Sequence, residues 1–274
     1  MRTRTEIATM ARPRWLLPCA VAVGLIWVWP VRGADPPQPA GGTADREAFL
    51  AGTSKNCPGC DLRGVRLKRR DLSGADLTGA DLTDAVLHAA RLRGAKLDQA
   101  KLSGANLNKT DLRQADLSGA DLTGALLYDS DLSGARLEGA IMADAHLQHA
   151  RLTRADLQKA DLSRANAVNT ELADCNLANG RVKQANFSNA NLSRCNLTTV
   201  VADGAGFVSA RMRRAKLANI SALRADFFRA DLSGADLSDG DFRGSRLEGA
   251  DLDGAATVGM KTKGALLVDG TVGQ

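Results

Sequence analysis

The sequence predicts an all-β solenoid of stacked five-residue blocks, closed by a short N-terminal helical cap and a C-terminal cap. Three observations predict it. From about residue 60 the chain falls into blocks of five: DLSGA stands at 71–75, 131–135 and 231–235, and DLTGA at 121–125. The residue at Leu62 and at every fifth position to Leu252 is never charged or polar. Of these 39 residues 29 are Leu, the rest Met, Phe, Val or Ala. Only 4% of the 274 residues are aromatic while 27 are Gly, so the core is assembled from many small contributions, as in a repeat protein.

A period of five fits neither an α-helix at 3.6 nor a flat strand at 2. It fits a short extended segment followed by a tight turn. The residue two before each Leu position is Ala in 26 of 39 blocks. Leu and Ala therefore point inward together, and the Asp or Asn between them points outward. Gly at the end of a block supplies the freedom the turn needs. One block buries little. Stacked blocks bury a continuous column and pair their backbones, so the fold is stable only as an array.

The unit Ala75-Asp76-Leu77-Thr78-Gly79, with its many copies, resembles the pentapeptide-repeat family over about residues 57–256. The resemblance implies a right-handed quadrilateral β-helix, with four blocks in a 20-residue coil. It implies less about activity; some members mimic DNA and bind topoisomerases. The sequence carries its own sign of four sides. Phe187, Phe207 and Phe227 are spaced by 20, which places them on one wall, and Val182, Ala202 and Ala222 precede them on the neighbouring wall. A narrow packed column demands such volume compensation.

The remaining segments divide as follows. Residues 1–34 read as a secretory signal: Arg2, Arg4, Arg12 and Arg14 precede an apolar run from Trp15 to Trp29, and the small residues Gly33 and Ala34 follow. The run is short of the roughly 20 residues a membrane span needs. The mature chain is expected to be exported, periplasmic or extracellular, without stable membrane insertion; an uncleaved N-terminal anchor is the alternative. Residues 35–43 are a Pro/Gly-rich flexible spacer. Residues 44–56 form an N-terminal cap, with one or two helical turns at 44–50 laying Phe49 and Leu50 on the first coil. The repeat occupies 57–256. Residues 257–274 are a C-terminal cap and tail, with Ala265-Leu266-Leu267-Val268 as an apolar lid over an edge that would otherwise aggregate.

The net charge of +5 arises mostly in the signal, which holds five Arg and one Glu. The rest is charge-rich but balanced, which argues against a basic nucleic-acid groove and against an acidic DNA mimic. One wall alternates in sign along Asp76, Lys96, Asp116 and Arg136, a ladder of exposed ion pairs.

Four cysteines follow the signal. Cys57 and Cys60 form a CxxC without a thioredoxin-like context or a second ligand pair, so a structural disulfide is the favoured reading. Cys175 and Cys195 lie one coil apart at the inward small position, about 4.8 Å between Cα atoms. That spacing permits a disulfide. Two free buried thiols are preferred, because parallel in-register backbones aim their Cβ atoms alongside each other.

No nucleophile, base and orienting group can be assembled on a filled column, so no catalytic residue, cofactor or metal site is assigned. His146 and His149 flank a turn without a converging third ligand. The candidate surface is the wall of the three phenylalanines. Its outward residues include Val86, Leu126, Tyr128, Val168, Val208 and Phe228, and from Val86 to Ser209 its only outward charges are Lys109 and Asp129. Low charge beside apolar and aromatic residues suits an interface. The function expected is a structural or interaction protein of the cell envelope, binding a protein partner or itself along this wall. The alternative is a DNA-mimicking topoisomerase binder.

Overall fold

The computed structural model describes residues 42–274. The expected signal and nearly all of the spacer lie outside the described residues. From Cys57 onward each block repeats one conformation: a bridging residue, an inward Leu, two turn residues and an inward Ala. Every bridging residue pairs in parallel with the residue 20 further along, from Asp61 with Asp81 to Arg246 with Leu266. Four bridges per 20 residues make a four-walled coil. The first wall carries Asp61, Asp81 and Lys101; the second Arg66, Val86 and Asn106; the third Asp71, Arg91 and Asp111; the fourth Asp76, Lys96 and Asp116. The first and third walls therefore stand opposite each other, as do the second and fourth. The extended element is a single bridging residue rather than a strand, because the chain turns again two residues later.

Each block is tied to both neighbouring coils. The Asp81 N–H donates back to the Cys60 carbonyl at 2.9 Å, while those of Leu82 and Asp84 donate forward to Lys101 and Ser103 at 2.7 and 2.9 Å. The Ala85 N–H closes the turn on the Leu82 carbonyl at 3.0 Å. The fourth residue of every block is left-handed, with φ between +54° and +73°, as a turn of type II requires at that position. Only 17 of these 42 corners are Gly, and 25 carry a side chain. The expectation that Gly makes the turn is thus corrected. The bridging residue shares the work: Asp81 Oδ1 accepts from the Thr83 N–H at 3.2 Å and from its hydroxyl at 2.6 Å. This local bond pulls the chain around the corner and offsets part of the cost of a left-handed residue, about 1–2 kcal/mol without Gly.

The inward columns are closed to solvent, Leu and Ala alike at 0–2% exposure through most of the stack. Phe187 and Phe207 stack at 5.4 Å between ring centroids, Phe207 and Phe227 at 4.8 Å. Phe242 then shifts the aromatic to the first wall. The small position just before it is Gly240, where a Cβ would lie 2.6 Å from the Phe242 ring. Large and small thus trade places level by level.

The two ends differ. Helix α1, Thr43–Ala51, caps the N-terminal end. Phe49 is fully buried, but Leu50 is exposed, against the expectation that both lie on the first coil. Arg70 explains the arrangement. It occupies an inward small position, yet its guanidinium stacks 4.8 Å from the Phe49 ring and donates to the Phe49 and Leu50 carbonyls that end the helix. At the other end the Leu pattern fades after Leu252, but the coil continues to Leu266 with Thr257 and Thr262 facing inward. The chain then doubles back, Val272 pairing antiparallel with Leu266. The expected lid is a hook: Ala265 is buried, while Leu266 and Val268 stay exposed.

Candidate interaction wall

All six candidate residues fall on the second wall or its corner. Val86 and Leu126 are bridging residues; Tyr128, Val168, Val208 and Phe228 sit two residues further on, where the chain turns. Five are half-buried and Tyr128 is 43% exposed. Tyr128 meets His149 of the next coil edge-on at 5.4 Å. Phe228 is covered rather than free: Arg246 lies 3.9 Å and Arg229 4.8 Å from its ring. Its apolar face is already occupied by cations from its own chain. The low-charge surface therefore runs from Val86 to Ser209.

Asparagines hold several of this wall's corners, as aspartates hold most of the others. Asn186 Oδ1 accepts from the Ser188 N–H and hydroxyl at 2.9 and 2.6 Å, and Asn108 Oδ1 from the Tyr128 N–H one coil on at 2.9 Å. Asn supplies the turn bond without a formal charge. From Val86 to Ser209 no ion pair forms on the wall among the described residues. Its two lie beyond, where Arg246 reaches Asp226 at 4.0 Å and Glu248 at 2.8 Å. Three cations the sequence reading passed over, Arg66, Lys68 and Arg69, stand exposed at the head of the wall.

The other walls are laced with ion pairs. Arg113 holds the Asp111 carboxyl below its ordinary range through a side-chain hydrogen bond, and Arg194 does the same for Asp174 one coil before it. The expected ladder on the fourth wall resolves into separate pairs, Asp76–Lys96 at 3.7 Å and Asp116–Arg136 at 3.6 Å. Higher up the same wall, Asn176 and Asn196 join by their amides at 3.2 Å. From Asn176 to Asn219 the fourth wall carries one outward charge, Lys216. The contrast drawn from sequence is thereby narrowed: the second wall carries the longest low-charge surface, and the fourth shares the property over three coils.

Cys57 and Cys60 occupy the inward Leu and Ala positions of the first block, both fully buried, and are joined as a disulfide. Cys175 and Cys195 are also joined, with Cα atoms 4.6 Å apart. The preference for free thiols there is corrected: neighbouring coils bring the two residues within bonding reach along the column. His146 and His149 stay on the surface, with no cluster of three or more metal-ligating side chains among the described residues. A groove along the third-wall corner holds Arg194, Arg213 and Arg214, but Arg194 pairs with Asp174 at 2.6 Å and Arg213 with Asp231 at 3.4 Å.

The comparisons with known proteins agree with this geometry. A solved structure of HetL, a pentapeptide-repeat protein involved in heterocyst differentiation regulation in the cyanobacterium Nostoc sp. strain PCC 7120, is 30% identical, with a TM-score of 0.52. The match covers 83% of this chain and 97% of that one. QnrB1, a plasmid-mediated fluoroquinolone resistance protein, is 24% identical over 62% of this chain and 88% of its own, with a TM-score of 0.38. Rfr23 from the cyanobacterium Cyanothece 51142 is 28% identical over 52% and 99%, at 0.25. With TM-scores below 0.5, neither of these two bears on the function of this chain. No curated protein sequence matches it. The family model for pentapeptide repeats matches in 8 copies, across residues 60–99, 95–134, 130–166, 170–205, 183–219 and 225–256. This chain belongs to the pentapeptide-repeat family.

Proposed function

We propose that this is an exported, non-catalytic interaction protein of the cell envelope, which binds a protein partner along its second wall. We take the coil to wind right-handed, as the family implies. The observation that carries the reading is the low-charge run from Val86 to Ser209, where Lys109 and Asp129 are the only outward charges. Burying Asp or Arg without a partner is costly, so an interface core tends to lose them. Val86, Leu126, Tyr128, Val168 and Val208 offer the apolar contact, and the asparagines offer hydrogen bonds without desolvating a full charge. Export supports the rest: both cysteine pairs suit an oxidising compartment.

The test compares two pairs of outward substitutions. Leu126→Arg with Val168→Arg should abolish capture of the partner from the native envelope fraction and leave the melting temperature unchanged. Ser118→Arg with Gln158→Arg, on the fourth wall, should leave capture intact. Equal behaviour of the two pairs overturns the proposal. Recovery of the chain from the cytoplasm at full length overturns the export.

A further inference from the structure

The corner that joins the third wall to the fourth is a ridge of arginine. Its turn residues, two per coil, include Arg93, Arg113, Arg154, Arg194, Arg213 and Arg214, all exposed. From Ser73 to Gly234 the same positions hold one acid, Asp174. Two recesses open along the ridge. The one nearer the N-terminal end, of about 540 Å³, is lined by Arg93, Arg113, Gln114 and Arg154 around Gly134. The other, of about 430 Å³, is lined by Arg194, Arg213 and Arg214 beside Gly234. Gly234 helps to make the room, since a Cβ there would lie 3.4 Å from Arg214 Cγ. Among the described residues no carboxylate lines either recess. The first-wall corner differs: Asp203 lines both of its recesses, and Asp161 one of them.

The arginines fall into two kinds. Arg113 is held by Asp111 at 2.6 Å, Arg194 by Asp174 at 2.6 Å and Arg213 by Asp231 at 3.4 Å. Arg93, Arg154 and Arg214 make no ion pair and no side-chain hydrogen bond among the described residues. The hydroxyls of Ser133, Ser193 and Ser233 donate to Asp131, Asn191 and Asp231 at 2.5 to 2.7 Å, so the free donors here are guanidinium groups. One arginine satisfies a carboxylate, as Arg194 satisfies Asp174 through two bonds. A phosphate has oxygens enough for two or three arginines, which is what each recess gathers. No aromatic side chain lines either recess among the described residues, so nothing there stacks a nucleic-acid base.

We propose that this corner binds a linear phosphate polymer of the polyphosphate type, which lies along the ridge and enters both recesses. Arg93 and Arg154 take it in the first recess and Arg214 in the second. Arg154 and Arg214 stand three coils apart, about 14 Å along the axis, so a chain of phosphates reaches both where a small anion reaches one. Joining two weak sites through one ligand raises affinity without any new contact. The carboxylates of Asp111, Asp131 and Asp231 run along the third wall beside the ridge and confine the polymer to the corner. The corner does not border the second wall and does not rest on the partner assigned to it.

Titration calorimetry of the purified chain tests it, with tripolyphosphate, long-chain polyphosphate, poly-glutamate and single-stranded DNA as probes. Long-chain polyphosphate should bind about tenfold or more tighter than tripolyphosphate. Arg93→Gln with Arg154→Gln should weaken the long chain by about tenfold, and so should Arg214→Gln; all three together should weaken it by about a hundredfold. Gln already stands at equivalent turn positions in Gln114 and Gln158, and an unchanged melting temperature checks that each variant is folded. Arg224→Gln is the control. It removes a cation on the first-wall corner that forms no ion pair among the described residues, and should change binding by less than about twofold. An equal loss in Arg224→Gln would reduce the effect to overall charge and overturn the proposal. So would the absence of any gain from chain length. Tighter binding of poly-glutamate would assign the corner to acidic peptides, and tighter binding of DNA to nucleic acid; either result overturns the polyphosphate assignment.

Discussion

The corners at 59–139 and those at 144–229 hold the same backbone with different residues. Ten of the first 17 are Gly, against one, Gly204, of the next 18. Yet the φ of Gly124 is +63° and that of Arg154 +58°. The later coils make up for less permissive corners elsewhere: the Phe187–Phe207–Phe227 stack fills their centre and the Cys175–Cys195 bridge staples two of them. The comparison teaches that the inward columns and the coil-to-coil bonds fix the fold, while the corner residue adapts to them.

The sharpest way to break the comparison is through its core. Phe207→Ala opens a gap between two stacked rings and should cost about 4 kcal/mol; Leu107→Ala, in the Gly-cornered coils, should cost about 3 kcal/mol. Urea unfolding of both reads the difference, and a larger loss at Leu107 would mean that the stack lends no extra support. Next comes the staple. Cys175→Ala with Cys195→Ala restores the ordinary small residue at both levels and removes a cross-link over 20 residues, so stability should fall by roughly 3 kcal/mol. The same variant measured under reducing conditions should match the reduced wild type.

Corner substitutions should act more weakly and unequally. Gly124→Ala meets no neighbour within 4 Å, so its cost is the left-handed backbone alone, about 1 kcal/mol. Arg154→Gly relieves that strain but frees the unfolded chain, and the two should cancel to within about 0.5 kcal/mol of wild type by thermal melting. Acid should show the smallest and most local effect. Hydrogen bonds from Ser73 hold the Asp71 carboxyl below its ordinary range, and Arg113 holds that of Asp111. A carboxyl lowered in the folded state contributes stability above its unfolded value, and that stability is lost as pH falls through the folded one. Asn176, Asn186, Asn191 and Asn196 fill the same role without titrating. Hydrogen exchange below pH of about 4 should therefore loosen the turns at 71–73 and 111–113 before those at 186–188 and 196–198, where Asn takes the place of Asp. Simultaneous loosening would mean that the turn bonds are not the acid-sensitive element.

The period, the inward columns and the four-sided packing of Phe against Val and Ala were legible because each rests on spacing and size alone. What escaped the sequence depends on direction in space. That Asp81 bends its own corner needs its carboxylate aimed at Thr83, which a repeat pattern does not reveal. The candidate wall was legible as a low-charge run in a 20-residue register, but the cover over Phe228 was not, because Arg246 reaches it from the neighbouring coil. The seal at the N-terminal end had left a mark: Arg70 is the one charged residue in an otherwise small, neutral column.

The strict coil of 20 residues has one more consequence. Removing a single five-residue block from the middle leaves Leu above Leu and Ala above Ala, so the column can close over the gap. Everything downstream, however, is turned by a quarter of a revolution. Val168 would then follow beneath the charged side of the stack instead of beneath Leu126. The five-residue block sets stability, and the count of blocks modulo four sets the compass bearing of every surface residue beyond it. A one-block deletion should keep the fold while cutting a surface that spans the deletion in two.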